Sequence, residues 1–395
     1  MKFLINMVIA YMIYPFTKLK FKNRNIWLVG GNAGELYVDN GRAIYEYLRT
    51  KEKSDKLEVF WIANSGSLVF NEIPGNVLAK GSIKAYLYFM NSKVVLFSHS
   101  ISADIVPNLF VVPFINHFHK KVYKVFLNHG TVGFKKRLPM KPKLEKIIEN
   151  LIKSYDLNIC DSDFEKSIKR DDWKIDEDKI KVTGYPRYDK LYRLDDNSKS
   201  ILFMPTWRNW IRLDNIKIND TEYFKNIIGL ITNKNLIEYL NENNIKFNIY
   251  IHQLMQTYLD DFKKVEINKN VNILPIDADI TEELMKAELL ITDYSSVAYD
   301  FYYLNKPILF FQFDKEEYTA KVGSYVDLDN ALFGQPVYKL DSCVKEIINI
   351  SERGFEYNQE YKELSDSFRS KYFKYEDKEN CKRIYETIKD GLCGK

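Results

Sequence analysis

Residues Ala287–Asp314 read AELLITDYSSVAYDFYYLNKPILFFQFD, and this stretch decides the predicted fold. Its pattern predicts a short apolar strand that ends at Thr292, a helix over Val297–Leu304 and a second buried strand over Ile308–Phe313. An Asn-Lys-Pro sequence separates the helix from the second strand, because proline cannot continue a helix. A strand, a helix and a strand in this order form a βαβ unit, in which ligands bind at the carboxyl ends of the strands.

Ser295 and Ser296 occupy the turn between the first strand and the helix. Such a turn offers hydroxyl groups and free backbone N–H groups at a helix N-terminus, which favours binding of an anion. The same two serines could instead only cap the helix, and for an isolated Ser-Ser pair capping is the commoner role.

The same alternation of apolar strands and helices runs through the rest of the chain, which has 395 residues. Strands that are apolar on both faces and alternate with helices are typical of a parallel sheet in an α/β fold. A polar, turn-rich segment at 184–200 separates two such runs. We therefore expect an N-terminal segment at 1–24, two doubly wound domains at 25–190 and 191–340, and a helical tail at 341–395.

Composition excludes several classes of function. The net charge is only +4, and the excess of basic residues is spread over the chain rather than gathered in a stripe. Nucleic-acid binding is therefore not expected. The four cysteines form neither a CxxC pair nor a Cys/His cluster, which indicates a reducing compartment and no metal site. The Gly-rich turn at 30–34 reads GGNAG rather than GxGxxG, and GxxxxGK[ST] is absent, so neither an NAD site nor a Walker-type ATPase is predicted.

The N-terminal segment Phe3–Phe16 is apolar apart from Asn6 and Pro15, and a basic cluster follows it. This run is shorter than the roughly 20 residues that span a bilayer, and no signal-peptide cleavage site follows. We expect either an interfacial helix whose basic end binds anionic headgroups, or a helix packed on the protein, and the basic cluster favours the first. The predicted location is the cytoplasm, with peripheral attachment to the membrane.

Three of the five histidines, His99, His129 and His252, lie at the carboxyl ends of predicted strands. His129 lies in an Asn-His-Gly-Thr sequence that ends at Thr131, where the glycine lets a ligand approach the backbone. An imidazole at this edge of a sheet could take a proton from a hydroxyl group at neutral pH. A histidine hydrogen-bonded to its own loop is the alternative.

Two arginines also follow predicted strands. Arg208 ends the sequence Pro-Thr-Trp-Arg and could hold a phosphate with two parallel hydrogen bonds, or could be a solvated surface residue. Arg187 lies in Gly-Tyr-Pro-Arg-Tyr-Asp, which ends at Asp189, and could either reach into a cleft or belong to a hinge turn.

Taken together and in this order, these motifs resemble the CDP-glycerol glycerophosphotransferase family, the teichoic acid primases and polymerases of Gram-positive bacteria and related capsule enzymes. The resemblance covers residues 25 to 314 and rests on the segments Asn128–Thr131, Gly184–Asp189 and Pro205–Arg208, on His252, and on Thr292–Val297 with Asp300.

The resemblance implies a GT-B-type fold, with two Rossmann-like domains facing across a cleft. It implies transfer of glycerol phosphate from CDP-glycerol, the donor substrate, to a hydroxyl of a lipid-linked or polymeric acceptor at the inner face of the membrane, with release of CMP. No cofactor is expected. The alternatives are an enzyme that uses CDP-ribitol as the donor and a GT-B glycosyltransferase that uses a nucleotide sugar. The oligomeric state stays open.

The resemblance also assigns roles to residues. It implies that His129 is the general base, and that a site for the donor pyrophosphate is formed by Arg208, His252, Ser295 and Ser296, with Thr292, Asp293 and Asp300 in the same motif. Four further residues are placed in the cleft without a settled role: Arg187, Asp189, Thr131 and His99.

The chain departs from the family pattern at two places. Val132-Gly133 stands where Pro-Leu is common, and Gln253 follows the later histidine where proline is common. Both departures leave the polyol and the acceptor open. The extra N-terminal region that polymerases often carry is not seen, so we expect a primase or a capsule-type transferase.

Overall fold

The computed structural model describes residues 2–108, 111–112, 121–137, 141–194, 199–214, 216–251, 268–275 and 278–394. The chain forms two compact units. The first comprises Met1–Thr131, Pro139–Lys190 and Tyr372–Lys395, and the second comprises Val132–Leu138 and Leu191–Lys371. The C-terminal residues therefore belong to the same unit as the N-terminal ones.

The first unit is built on a parallel sheet of seven strands in the order β3-β2-β1-β4-β5-β6-β7. The strands are β1 Asn25–Gly30, β2 Leu57–Ala63, β3 Val77–Ala79, β4 Val94–Phe97, β5 Tyr123–Phe126, β6 Leu157–Cys160 and β7 Ile180–Val182. Every residue of β4, β5 and β6 is buried, as expected for strands covered on both faces. The direction of winding reverses between β1 and β4, which is where ligands bind in folds of this kind.

The second unit contains a parallel sheet of six strands in the order β10-β9-β8-β11-β12-β13. The strands are β8 Ser200–Met204, β9 Lys246–Ile249, β10 Val271–Ile273, β11 Leu289–Thr292, β12 Ile308–Phe311 and β13 Gln335–Val337. The predicted βαβ unit is confirmed, because β11 and β12 pair in parallel and a helix over Val297–Tyr303 connects them. The short strands β3 and β13 were not predicted from the sequence.

Helices alternate with these strands along the chain. In chain order they are α1 Lys2–Phe21, α2 Asp39–Thr50, α3 Val69–Glu72, α4 Ile83–Met90, α5 Pro142–Lys153, α6 Asp163–Asp171, α7 Asn209–Leu213, α8 Glu222–Ile231, α9 Lys234–Glu242, α10 Ile280–Lys286, α11 Val297–Tyr303, α12 Lys315–Lys321, α13 Leu340–Glu352, α14 Gln359–Tyr372 and α15 Asn380–Cys393. A short π-helical turn, Ile101–Ile105, follows β4.

Helix α1 packs on the first unit by one face only. Met7 and Ala10 are buried in its hydrophobic core, and the Asn6 side chain donates to the carbonyl of Gly81 at 2.9 Å. The opposite face leaves Phe16 and Leu19 each 84% exposed. The two alternatives drawn from the sequence therefore do not exclude each other. Among the residues that the structure describes, no helix combines the length and the apolar character needed to cross a membrane.

Candidate active site

The carboxyl edge of the first sheet brings two of the predicted histidines together. His99 follows β4 and His129 follows β5, and these strands are neighbours in the sheet. Their imidazole rings stack face to face, with centroids 4.7 Å apart and planes 5° from parallel. The predicted His252 lies outside the described residues.

Asp104 lies beside Nδ1 of His99. This carboxylate is fully buried, and it accepts the backbone N–H groups of Ser98 and His99 at 2.9 and 2.7 Å and that of Ala33 at 2.9 Å. His99 Nδ1 lies 3.6 Å from Asp104 Oδ1. Burial lowers the pKa of His99, but Asp104, with a smaller effect from Asp39, more than offsets this, so the pKa lies above its ordinary value.

The turn that presents His129 is fixed by the side chain of Asn128. Asn128 has a left-handed φ of +57°, which asparagine adopts more readily than most residues. Its amide donates to the carbonyl of Gly130 at 2.7 Å, and its side-chain oxygen accepts the N–H of His129 at 3.0 Å. The amide also contacts the hydroxyl of Tyr185 at 3.2 Å, which in turn donates to Glu165 Oε1 at 2.5 Å. A buried chain of hydrogen bonds therefore sets the backbone on both sides of His129.

Thr131 closes the same turn and points into the protein. Its hydroxyl donates to Asp161 Oδ2 at 2.5 Å and lies 3.0 Å from the hydroxyl of Tyr188. Burial raises the pKa of Asp161 well above its ordinary value, and the nearby Glu165 carboxyl adds to that effect. Thr131, predicted to lie in the cleft, is buried and anchors the turn.

Arg187 lies at the same edge of the sheet and is largely buried. Its guanidinium is 3.1 Å from Asp39 at the start of α2, and its backbone N–H donates to the side chain of Asn40 at 3.2 Å. The Asn40 amide donates in turn to the carbonyl of Asn128 at 2.8 Å. Arg187 is thus linked to the turn of His129 through α2, and the sequence analysis identified neither Asp39 nor Asn40.

Asp189, also predicted to lie in a cleft, contacts the C-terminal helix. Its two carboxylate oxygens accept the N–H groups of Asn380 and Cys381 at 2.9 and 2.7 Å. These donors are the first residues of α15, where a carboxylate is favourable because the helix N-terminus is positive. Asp189 therefore attaches the C-terminal helix to the first unit.

Arg208 in the second unit is fully buried, so its interpretation as a solvated surface residue is wrong. Its guanidinium pairs with Asp293 at 2.8 Å and with both oxygens of Asp314 at 2.6 and 2.9 Å, and it donates to the carbonyl of Thr206 at 2.6 Å. Aromatic rings lie within 5.3 Å of it, those of Tyr223, Tyr294 and Tyr318. In this arrangement the guanidinium is engaged by carboxylates and links the ends of β8, β11 and β12.

Most of the Thr-Asp-Tyr-Ser-Ser motif also faces inward. Thr292 donates its hydroxyl to the carbonyl of Met204 at 2.7 Å, and Asp293 accepts the N–H groups of Thr206 and Tyr294 at 2.8 and 2.6 Å. Asp300 is buried on α11.

Only Ser295 and Ser296 are partly exposed in the range 289–304, all of which the structure describes. Ser295 Oγ accepts the N–H of Val297 at 3.4 Å, a long hydrogen bond, whereas the side chain of Ser296 makes no capping hydrogen bond. Helix capping by the side chain therefore does not explain why a serine occupies position 296.

A family model described as CDP-glycerol:poly(glycerophosphate) glycerophosphotransferase matches residues 12–390. The minor teichoic acid biosynthesis protein GgaB of Bacillus subtilis is 28% identical over 385 residues, which cover 93% of this chain but only 40% of that protein. The teichoic acid glycerol-phosphate transferase of Staphylococcus aureus is 25% identical over 407 residues, which cover 97% of this chain and 98% of that one.

The fold is similar to that of a variant of the wall teichoic acid polymerase TagF. The TM-score is 0.73 at 20% sequence identity, and the match covers 99% of this chain and 97% of the other. This likeness concerns the fold alone, and it confirms the predicted GT-B-type α/β class.

Proposed function

The chain belongs to the CDP-glycerol:poly(glycerophosphate) glycerophosphotransferase family, as its sequence motifs predicted, and on that premise we propose that it transfers glycerol phosphate from CDP-glycerol to a hydroxyl of a lipid-linked or polymeric acceptor. CMP is the second product. The observation that carries this proposal is the turn at His129, which buried side chains hold at the carboxyl edge of the first sheet.

His129 serves as the general base in this proposal. The acceptor oxygen attacks the phosphorus that carries the glycerol, and His129 takes the proton of the attacking hydroxyl. The bond between this phosphorus and the oxygen bridging to the cytidylyl phosphate breaks, and that oxygen leaves as part of CMP. Reactions of this type depend mainly on positioning and on stabilising charge at the phosphoryl group.

Ser295 and Ser296 are the proposed contacts to the donor pyrophosphate. They are the partly exposed residues of a motif whose other side chains are buried, and hydroxyl groups can donate to phosphate oxygens. In this proposal Arg208 supports the turn from the protein interior through its ion pair with Asp293. This supporting role takes the place of the direct contact with phosphate that was predicted for Arg208. Asp300 and His252 keep their proposed roles in orienting the donor and holding phosphate.

We also propose that the first unit binds the surface of an anionic membrane. Helix α1 presents an exposed apolar face, and α5 exposes Leu144 and Ile147 at 42% and 44%. Exposed lysines flank these residues, namely Lys18 and Lys20 on α1 and Lys141, Lys143 and Lys146 on or beside α5. Apolar side chains bordered by lysines suit an interface with anionic headgroups. Such attachment would bring the enzyme to a lipid-linked acceptor.

The test is a competition between donors. The purified protein is incubated with equal amounts of CDP-glycerol and CDP-ribitol and a lipid-linked acceptor, and the products are identified by mass. We expect CMP release and an acceptor that is heavier by one or more glycerol phosphate units. The His129→Gln variant serves as the control, with a rate expected to be lower by about 10²–10⁴.

Ribitol phosphate on the acceptor would show that the donor assignment is wrong. Transfer from a nucleotide sugar, with none from either CDP-polyol, would favour the glycosyltransferase alternative. A His129→Gln variant with full activity would remove His129 from the role of base.

A further inference from the structure

His99 contacts both the buried Asp104 carboxylate, through Nδ1, and the ring of His129, through its face. We propose that His99 carries a positive charge stabilised by Asp104, and that this charge keeps His129 unprotonated and able to accept the acceptor's proton. This inference rests on the proposed role of His129. His99 is thereby a positioning residue that acts through His129.

The stacked geometry is the first observation behind this proposal. The two rings are parallel to within 5°, with centroids 4.7 Å apart. Two imidazolium ions at this separation would repel each other, because like charges so close disfavour the charged form. Protonation of one ring therefore opposes protonation of the other.

The second observation identifies which ring carries the charge. Three backbone N–H groups donate to the Asp104 carboxylate and hold it in place beside His99. His99 Nδ1 lies 3.6 Å from that carboxylate, close enough for an ion pair. The pKa of His99 is raised accordingly, despite the opposing effect of burial. The proton of the pair therefore resides preferentially on His99.

The other charged groups around His99 agree with this assignment. Asp39 at the start of α2 acts on His99 through its charge, and Arg187 and Lys80 are cations that interact with Asp39 and Asp104 respectively. Arg187 is paired with Asp39 at 3.1 Å. Lys80 donates to the backbone carbonyl of Ala103 at 2.8 Å, and burial lowers the pKa of Lys80. Asp104 is thus the carboxylate in closest contact with the His99 ring.

A consequence is that the two histidines titrate as a coupled pair. In the enzyme as it stands, the second proton enters the pair only at low pH, and His129 stays neutral over a wider range. Without the charge on His99, His129 would take up its proton at higher pH. The acid limb of the pH–rate profile would then move to higher pH.

The test measures the pKa of His129 directly and does not depend on activity. The full-length protein is labelled with ¹³Cε1-histidine, and the His129 signal, assigned from its absence in His129→Gln, is titrated by NMR. His99→Phe keeps an aromatic ring and removes the charge, while Asp104→Asn leaves the imidazole and removes the carboxylate that holds its proton. In both variants we expect the pKa of His129 to rise by about one unit, equivalent to a tenfold change in proton affinity.

An unchanged His129 pKa in Asp104→Asn and in every folded His99 variant overturns the inference. His99→Gln stands in for His99→Phe if the latter does not fold. The pH dependence of kcat/KM separates this inference from the proposed function. If the His129 pKa measured by NMR rises and the acid limb of the kcat/KM profile shifts with it to higher pH, both the inference about His99 and the role of His129 as base are supported. If only the NMR pKa moves, the electrostatic coupling holds and the assignment of His129 as base fails.

Discussion

The hydroxyl of Tyr185 donates to Glu165 at 2.5 Å and contacts the Asn128 amide at 3.2 Å, so one buried phenol, in the segment that follows β7, joins α6 to the turn of His129. Burial, together with the nearby carboxylates, raises the pKa of Tyr185 well above its ordinary value. The phenol therefore stays protonated and keeps its donor at physiological pH.

Tyr185→Phe should lower kcat about tenfold and leave the KM for the donor nearly unchanged, because a misplaced base slows chemistry without affecting donor contacts. The free energy of unfolding should fall by about 1–3 kcal/mol, since Glu165 loses a buried hydrogen-bond donor. Steady-state kinetics and urea unfolding measure the two effects.

Tyr86→Phe is the matched control for this variant. The Tyr86 hydroxyl is buried in the same unit and has no hydrogen-bond partner among the described residues. Its removal should leave kcat unchanged. A Tyr185→Phe enzyme with wild-type kcat would show that the hydrogen bonds around Asn128 are not needed to position His129.

The sequence predicted the strands and histidines of this site, but it did not predict the buried side chains that hold them in place. Apolar runs alternating with helices determine a parallel sheet, and residues that follow adjacent strands must meet at one edge, which is why His99 and His129 could be foreseen there. Asp104, Asn40 and Glu165 could not, because their contacts depend on how loops fold back. Asn40, for example, reaches the carbonyl of a residue 88 positions away.

Arg208 shows a second limit of sequence interpretation. The sequence placed it correctly after a strand, but arginine is rarely fully buried, so its burial was not expected. Two carboxylates could have indicated the ion pairs, because Asp293 follows β11, which lies beside β8 in the sheet, and Asp314 follows β12, which lies beside β11. Strand order, which local patterns do not determine, was needed to connect them with Arg208.

Arg208→Ala should therefore act first on stability. It leaves Asp293 and Asp314 buried without their cation, and breaking a buried ion pair in this way costs about 3–5 kcal/mol. The exposed Arg353 of the same unit is the control, and its replacement by alanine should change the free energy of unfolding by less than about 0.5 kcal/mol. Urea unfolding compares the two variants. Normal stability in Arg208→Ala, combined with a raised KM for the donor, would restore the direct phosphate contact that the sequence suggested.

Asp161 makes stability depend on pH in a defined direction. Burial first, and then Glu165, raise the pKa of this carboxyl well above its ordinary value of 3.8, so the native protein holds a proton that the unfolded chain has released. Because the native state binds more protons, this group lowers the free energy of unfolding as pH rises above 3.8, by about 1.4 kcal/mol per pH unit until the native carboxyl ionises.

Asp161→Asn removes that proton linkage. We expect its free energy of unfolding to fall less steeply with pH than that of the wild type, measured by urea unfolding between pH 5 and 8. Asp163→Asn is the control, because its side chain is 71% exposed and should leave the slope as it is. Parallel profiles for wild type and Asp161→Asn would mean that Asp161 is ionised in the native protein.

The exposed face of α1 gives the clearest test of membrane attachment. Phe16 and Leu19 are each 84% exposed, so Phe16→Glu and Leu19→Glu should leave the fold intact while placing a carboxylate against anionic headgroups. Co-sedimentation with phosphatidylglycerol vesicles should fall at least severalfold in the double variant, with thermal unfolding unchanged. Wild-type binding should also weaken with added salt and on neutral phosphatidylcholine vesicles, because lysines contribute through charge. Equal binding of wild type and double variant to the anionic vesicles would exclude this face of α1 as the attachment surface.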